Sequence, residues 1–230
     1  NVGLRRGYRM GENTPDNPLM GFSMPATTAP ENVPDHIHLV YCDIYWKDFD
    51  KSTVNKEILN QEFIRTFTIE NDKDTISYKA EGFNLVYDFK YLWNKYNLKS
   101  WKGKKKHIIF RLITDKPTKE RHKDCPEYVT GTYYDNKFGK GFSPDLSINK
   151  NKMQYIYAVV AFSRWLNEHK DIFEKVAYAL ELPIGINMNG LWVNSNNEIK
   201  NMENLRSMYN TITEIINGWS YIELILPPPN

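Results

Sequence analysis

The chain has 230 residues, 41% of them hydrophobic and 25% charged, with a formal net charge of +2. That length and composition suit one large globular domain or two small ones. The near-neutral balance excludes the strong basic field of a nucleic-acid binder, and no run approaches the roughly 18 consecutive apolar residues of a membrane span.

Residues 1–35 lack periodicity and are punctuated by Pro15, Pro18, Pro25, Pro30 and Pro34. They read as an extended arm or covering loop, leaving 36–230 as the domain proper. Residues 37–46, Ile-His-Leu-Val-Tyr-Cys-Asp-Ile-Tyr-Trp, predict a buried strand with Tyr45, Trp46 and Lys47 at or just past its C-terminal end. Residues 50–84 are polar and read as an insertion, with a short helix near 57–67 and a strand near 75–79. Phe89, Leu92, Trp93 and Tyr96 share a helical face, which predicts a helix over 88–101 capped by Asp88 and ended by Gly103. The basic run Lys102–Lys106 reads as a solvated turn into a second strand, 107–113.

A long polar loop follows to Asp145. Met153, Ile156, Tyr157, Val160, Ala161 and Trp165 predict a helix over 150–169. Residues 175–182 read as a third strand stopped by Pro183, with a Gly- and Asn-rich loop after it. Leu205, Met208, Tyr209, Ile212, Ile215 and Ile216 predict a helix over 203–217. Residues 220–226 form a fourth strand, apolar nearly throughout, as expected of one covered on both faces. The two cysteines, Cys42 and Cys125, allow one disulfide and supply neither a disulfide framework nor a zinc cluster.

The order β-α-β-α-β-α-β gives an α/β fold with a parallel sheet. It suits a small open sheet or half of a (β/α)8 barrel, which takes about 250 residues when compact. A half-barrel leaves sheet edges and an inner face to be covered by a second copy, a different chain or the arm 1–35 folding back.

Ligand sites in such folds lie at C-terminal strand ends. Asp115, Asp124 and Asp135 follow the second strand and Glu181 lies near the end of the third. Glycoside hydrolysis needs two carboxylates across the scissile bond. Glu181 and Asp115 are the catalytic candidates, with acid and nucleophile left unassigned; a structural pairing of Glu181 with Arg111 is an equal alternative. Tyr45, Trp46, Tyr133, Tyr134 and Trp192 cluster near strand ends, where aromatic faces suit pyranose stacking. The ordinary role of each ring taken singly is core packing. Arg111, His122, Asp124, Asp135, Asn136, Asn187 and Asn189 add polar groups for hydroxyl recognition. His122, Asp124 and Asp135 as a metal set is the weaker alternative to loop hydrogen bonding, and neither metal nor cofactor is expected. The chain has no Gly-x-Ser-x-Gly elbow and no phosphate loop.

Val40-Tyr41 through Trp46-Lys47-Asp48-Phe49, Tyr87-Asp88-Phe89, and Trp101-Lys102-Gly103-Lys104 with Arg111-Leu112 resemble the opening of glycoside-hydrolase-like barrels. The loop segments His122–Tyr128, Gly131–Asn136 and Phe138–Pro144 are similar to one largely uncharacterised bacterial family of such barrels. The resemblance covers most of 38–226 and implies the N-terminal half of a (β/α)8 barrel, sugar handling, a glycan partner and a secreted or cell-surface place. The family's Gly-Glu-Trp-His segment is replaced by Asn189-Gly190-Leu191-Trp192-Val193, and its Arg-Arg-Pro strand end by Pro227-Pro228-Pro229. The resemblance therefore implies sugar binding without the family's own acid/base set.

Overall fold

The computed structural model describes residues 23–55, 67–104, 106–173, 184–187, 198–215 and 222–225. Its centre is a five-stranded sheet built from β1 (Ser23–Pro25), β2 (Leu39–Tyr45), β7 (His107–Ile113), β10 (Ile184–Asn187) and β11 (Ile222–Ile225). The strands lie side by side in that order, and every neighbouring pair is parallel. Strand order thus follows chain order from one edge to the other, and among the described residues the sheet does not close into a barrel.

Alternation along β2 and β7 fixes which face is buried, because successive side chains on a strand point to opposite sides. Val40, Cys42, Ile44, Ile108, Phe110 and Leu112 are buried. Tyr41, Asp43, Tyr45, Ile109 and Arg111 alternate with them and are half-buried. The buried strand expected at 37–46 is thus fully buried on one face and half-buried on the other.

The buried face packs on α3 (Asn149–Glu168), which Phe162 joins to Phe110 with ring centroids 5.1 Å apart. The other side of α3 meets the insertion. There β3 (Thr53–Val54), β4 (Thr68–Glu70), β5 (Thr75–Ala80) and β6 (Phe83–Asp88) form an antiparallel sheet in the order β3-β6-β5-β4. Tyr157 of α3 packs edge-on to Phe67, and the Trp165 indole donates to Asp74 at 3.0 Å. A helix covered on both sides must be apolar around most of its circumference, and α3 is buried at nearly every position from Met153 to Leu166. The predicted stripe is real but understates the burial. α4 (Glu198–Ile215) packs beside α3, with Met208 and Ile212 in the core.

Several expectations are corrected. The helix of 88–101 is a short α2 (Tyr91–Lys95) followed by a 3-10 turn at Leu98–Trp101, broken by Asn97 at φ 46°. Asp88 makes an Asx turn to the Lys90 amide rather than a helix cap. The segment 175–182, expected as a strand, falls outside the described residues, and the strand that the structure describes after α3 is Ile184–Asn187, where a loop was expected. Part of the arm pairs as the edge strand β1, with Ala26 and Val33 buried. Lys106 is not solvated: its ammonium is buried and donates to the carbonyls of Ile37 at 2.6 Å and Pro34 at 3.1 Å, tying that arm to the sheet. The helix expected near 57–67 falls almost wholly outside the described residues.

Candidate functional site

The C-terminal ends of β2 and β7 carry a connected group of charged side chains. In the sheet itself Asp43 and Arg111 are register partners, and the guanidinium grips the carboxylate through Nε at 2.6 Å and Nη2 at 2.9 Å. The same guanidinium lies 4.1 Å over the Tyr41 ring. Asn187 occupies the register position across from Arg111 on β10. Beyond Pro25, where β1 stops, the Tyr96 hydroxyl donates to the Asp43 carbonyl and so caps the free edge of β2.

Past the strand ends the loop 114–130 folds around Asp124. This buried carboxylate accepts from the Lys116 amide at 2.9 Å, His122 Nε2 at 2.9 Å and Lys47 Nζ at 3.2 Å. The Lys116 ammonium turns back toward Asp43 Oδ2, 3.8 Å away, and so joins the loop to the sheet. Both nitrogens of His122 face acceptors: Nδ1 the Glu120 carbonyl, Nε2 the Lys116 carbonyl and Asp124. Burial works against the imidazolium, but the Glu120 carbonyl and Asp124 outweigh it and raise the pKa above its ordinary value.

Asp115 is the most perturbed acid of the group. It sits just past β7, 2% exposed, and burial pushes its pKa up to about 7, helped by Asp124 and opposed by the Tyr134 hydroxyl. Tyr134 donates to Oδ1 at 2.7 Å; among the described residues Oδ2 has no hydrogen-bond partner. The donor comes from the hairpin of β8 (Gly131–Asn136) and β9 (Gly139–Pro144), which folds over the loop and is stitched to it by Thr118 and Lys140. Gly141 is required at the contact. A Cβ there would lie 2.5 Å from the Tyr134 hydroxyl and 2.7 Å from Asp115 Oδ1.

The predicted site residues fare unequally. Asp115, His122, Asp124, Tyr134, Arg111 and Tyr45 surround the C-terminal strand ends. Arg111 is engaged by Asp43, a residue that the sequence reading passed over. Trp46 does not present a stacking face: it is fully buried, edge-on to Tyr155, with its indole donating to Asp50 at 2.9 Å. α1 (Trp46–Phe49) begins at this residue, and the ring keeps the parity of Val40, Cys42 and Ile44, on the face that packs on α3. Tyr133 is 42% exposed, but Arg121 lies 3.8 Å over its ring. Asp135 is an exposed hairpin residue paired with Lys140, and Asn136 accepts from the Phe138 amide in the turn. Glu181, Asn189 and Trp192 fall outside the described residues.

Lys47, Asp43, Lys116 and Gly141 were missed. The signal for Asp43 was present, as one acid in an otherwise apolar strand facing the one Arg in the next. Cys42 and Cys125 are buried free thiols, so the allowed disulfide is not formed. Burial raises the pKa of both, Cys125 to about 12, which leaves the thiols un-ionised and poorly nucleophilic. Among the described residues no three His, Cys, Asp or Glu side chains converge as metal ligands do, and no helix is long and apolar enough to cross a membrane. No protein-family model, no curated protein and no solved structure matches the chain.

Proposed function

We propose that the chain is part of a glycoside-hydrolase-like (β/α)8 barrel that binds a glycan at the C-terminal ends of β2 and β7 without hydrolysing it. The observation that carries this is Asp115. A buried carboxyl with a pKa near 7 and one unengaged oxygen is a hydrogen-bonding group held ready for a ligand hydroxyl or glycosidic oxygen. Its position at a strand's C-terminal end is where parallel α/β folds place ligands.

The barrel reading rests on strand order. A sheet wound in one direction, with right-handed crossovers, puts all its helices on one face. The opposite face, here carrying Tyr41, Asp43 and Arg111, then needs further strands to enclose it, supplied by a second copy, another chain or more of the same barrel. The non-hydrolytic reading rests on the other carboxylates. Asp43 is held by Arg111 and Lys116, and Asp124 by Lys47, His122 and the Lys116 amide. A carboxylate clamped by cations on both oxygens is a poor nucleophile and a poor base, so the described residues offer one proton donor and no partner for it. A secreted or cell-surface place follows from the same family reading.

Calorimetry against a panel of oligosaccharides tests the proposal. Saturable binding that weakens in Asp115→Asn, with no release of sugar from chromogenic glycosides, is expected. Turnover that disappears in Asp115→Asn would replace the binding module with an enzyme, and the absence of binding to any saccharide would remove the sugar reading.

A further inference from the structure

The aromatic rings at the strand ends are arranged for something other than a neutral sugar. Pyranoses stack their C–H faces on open aromatic rings. Here the rings are taken by cations. Arg111 lies 4.1 Å over Tyr41, and the ammonium groups of Lys47 and Lys95 lie 5.9 and 5.6 Å from the Tyr45 ring centre. Arg121 covers Tyr133 in the same way, and Trp46 is buried. A cation over a ring face gains from the ring quadrupole, and it occupies the surface that a neutral pyranose would use.

The charge is also out of proportion. Lys47, Arg111, Lys116 and His122 pair with two carboxylates, Asp43 and Asp124, and Lys95 stands over the neighbouring Tyr45 ring, in a chain whose whole net charge is +2. The third acid, Asp115, has its pKa pushed up to about 7 by burial, so it adds little negative charge on the acid side of that value. Two of the cations remain open to a ligand: the side chains of Lys116 and Lys47 are 52% and 40% exposed. Each is paired, but to a carboxylate that already has another cationic partner, Arg111 on Asp43 and His122 on Asp124. Beside this cluster Asp115 adds a buried carboxyl whose Oδ2 has no hydrogen-bond partner among the described residues.

We infer that the glycan bound at this site is acidic, a uronic acid or a comparably carboxylated or sulfated sugar whose anionic group is received by Lys116, Lys47 and Arg111. The inference rests on the sugar-binding reading above and specifies its substrate class. Charge-assisted contacts then do the work that ring stacking does for neutral sugars.

The test compares oligogalacturonate and a hyaluronan oligosaccharide with their carboxyl-reduced forms, which keep the backbone and lose only the charge. Inorganic sulfate is the third arm. The acidic oligosaccharides are expected to bind about tenfold or more tightly than the reduced ones, a difference of about 1.4 kcal/mol, and to weaken as salt is raised. Lys116→Gln and Lys47→Gln are expected to weaken the acidic forms by about two- to fivefold each, the range of a partly exposed ion pair, and to weaken the reduced forms less. Equal binding of acidic and reduced forms would overturn the acidic specificity and leave sugar binding standing. Sulfate binding as tight as the oligosaccharides would also overturn it, showing an anion site that does not read sugar. No binding of any saccharide would remove both readings together.

Discussion

Asp115 ties stability to pH in a direction opposite to an ordinary surface acid. Its folded pKa of about 7 lies above the unfolded value near 3.9. Between those values the folded state holds a proton that the unfolded state has lost, so the stability that Asp115 contributes is full below about pH 4 and is lost as pH rises through about 7. Asn cannot ionise, so Asp115→Asn should lose that decline. Urea midpoints of both proteins at pH 5 and pH 8 check it: the variant gains relative to the parent at the higher pH, and a constant difference would mean that Asp115 is ionised throughout. Gly141→Ala probes the same contact sterically. The added methyl meets the Tyr134 hydroxyl and Asp115 Oδ1 at under 3 Å, and overpacking of this kind costs about 1–3 kcal/mol. A fall in thermal stability, with the pH dependence of Asp115 altered, is expected; a variant as stable as the parent would show that the hairpin yields freely. Asp115 was legible in the sequence because it follows an apolar strand directly. Tyr134 was legible as an aromatic near a strand end, but its bond to Asp115 depends on the hairpin's fold-over, and Gly141 looked like one turn glycine among several.

Asp74 joins the elements that hold the insertion to α3. Its Oδ1 accepts from the Trp93 indole at 2.7 Å and the Trp165 indole at 3.0 Å, with His169 Nε2 at 3.3 Å. These donors come from α2, α3 and the residue just after α3, while Asp74 precedes β5 in the tight turn that follows β4. Replacing it with Ala leaves the buried Trp165 indole N–H unpaired, at about 1–3 kcal/mol, and frees the half-buried Trp93 N–H, which water can reach at a smaller cost. Asp74→Ala should lower the urea midpoint and shift the tryptophan emission. An unchanged emission would show that the indoles are already in contact with water. Long amphipathic elements were readable because their period repeats: the stripe of α4 and the strand His107–Ile113 both lie where the pattern puts them. β10 was not readable, since Ile-Gly-Ile-Asn is short, contains a glycine and follows a proline, all signals of a loop. Trp46 misled because its place at the strand end hid its parity. It follows Val40, Cys42 and Ile44 at the same alternation, on the face that α3 buries, and Asp50, four residues on, accepts its N–H.

At the scale of the whole molecule the aromatic surplus goes first to the core. Trp46, Trp101, Trp165, Tyr87, Tyr155 and Tyr157 are among its largest fully buried side chains, and rings of this size contribute about 1.5–3 kcal/mol each when buried. That leaves few for an open binding platform, which is why composition pointed to stacking and the structure does not. The same core reaches into the arm. β1 pairs with the first half of β2, Ala26, Val33 and Ile37 are buried, and Lys106 holds the carbonyls of Pro34 and Ile37. Tyr96 caps β2 only at Asp43. Deleting residues 1–35 would therefore uncover the backbone edge from Leu39 to Tyr41 and leave the Lys106 ammonium, already buried, without the Pro34 carbonyl. An unpaired edge beside an apolar face recruits other strands. The deletion should melt at lower temperature and associate with increasing concentration, seen as a rising mass in light scattering. A shortened chain as stable as the parent, with a mass independent of concentration, would show that the arm is an ornament on a sheet already complete without it.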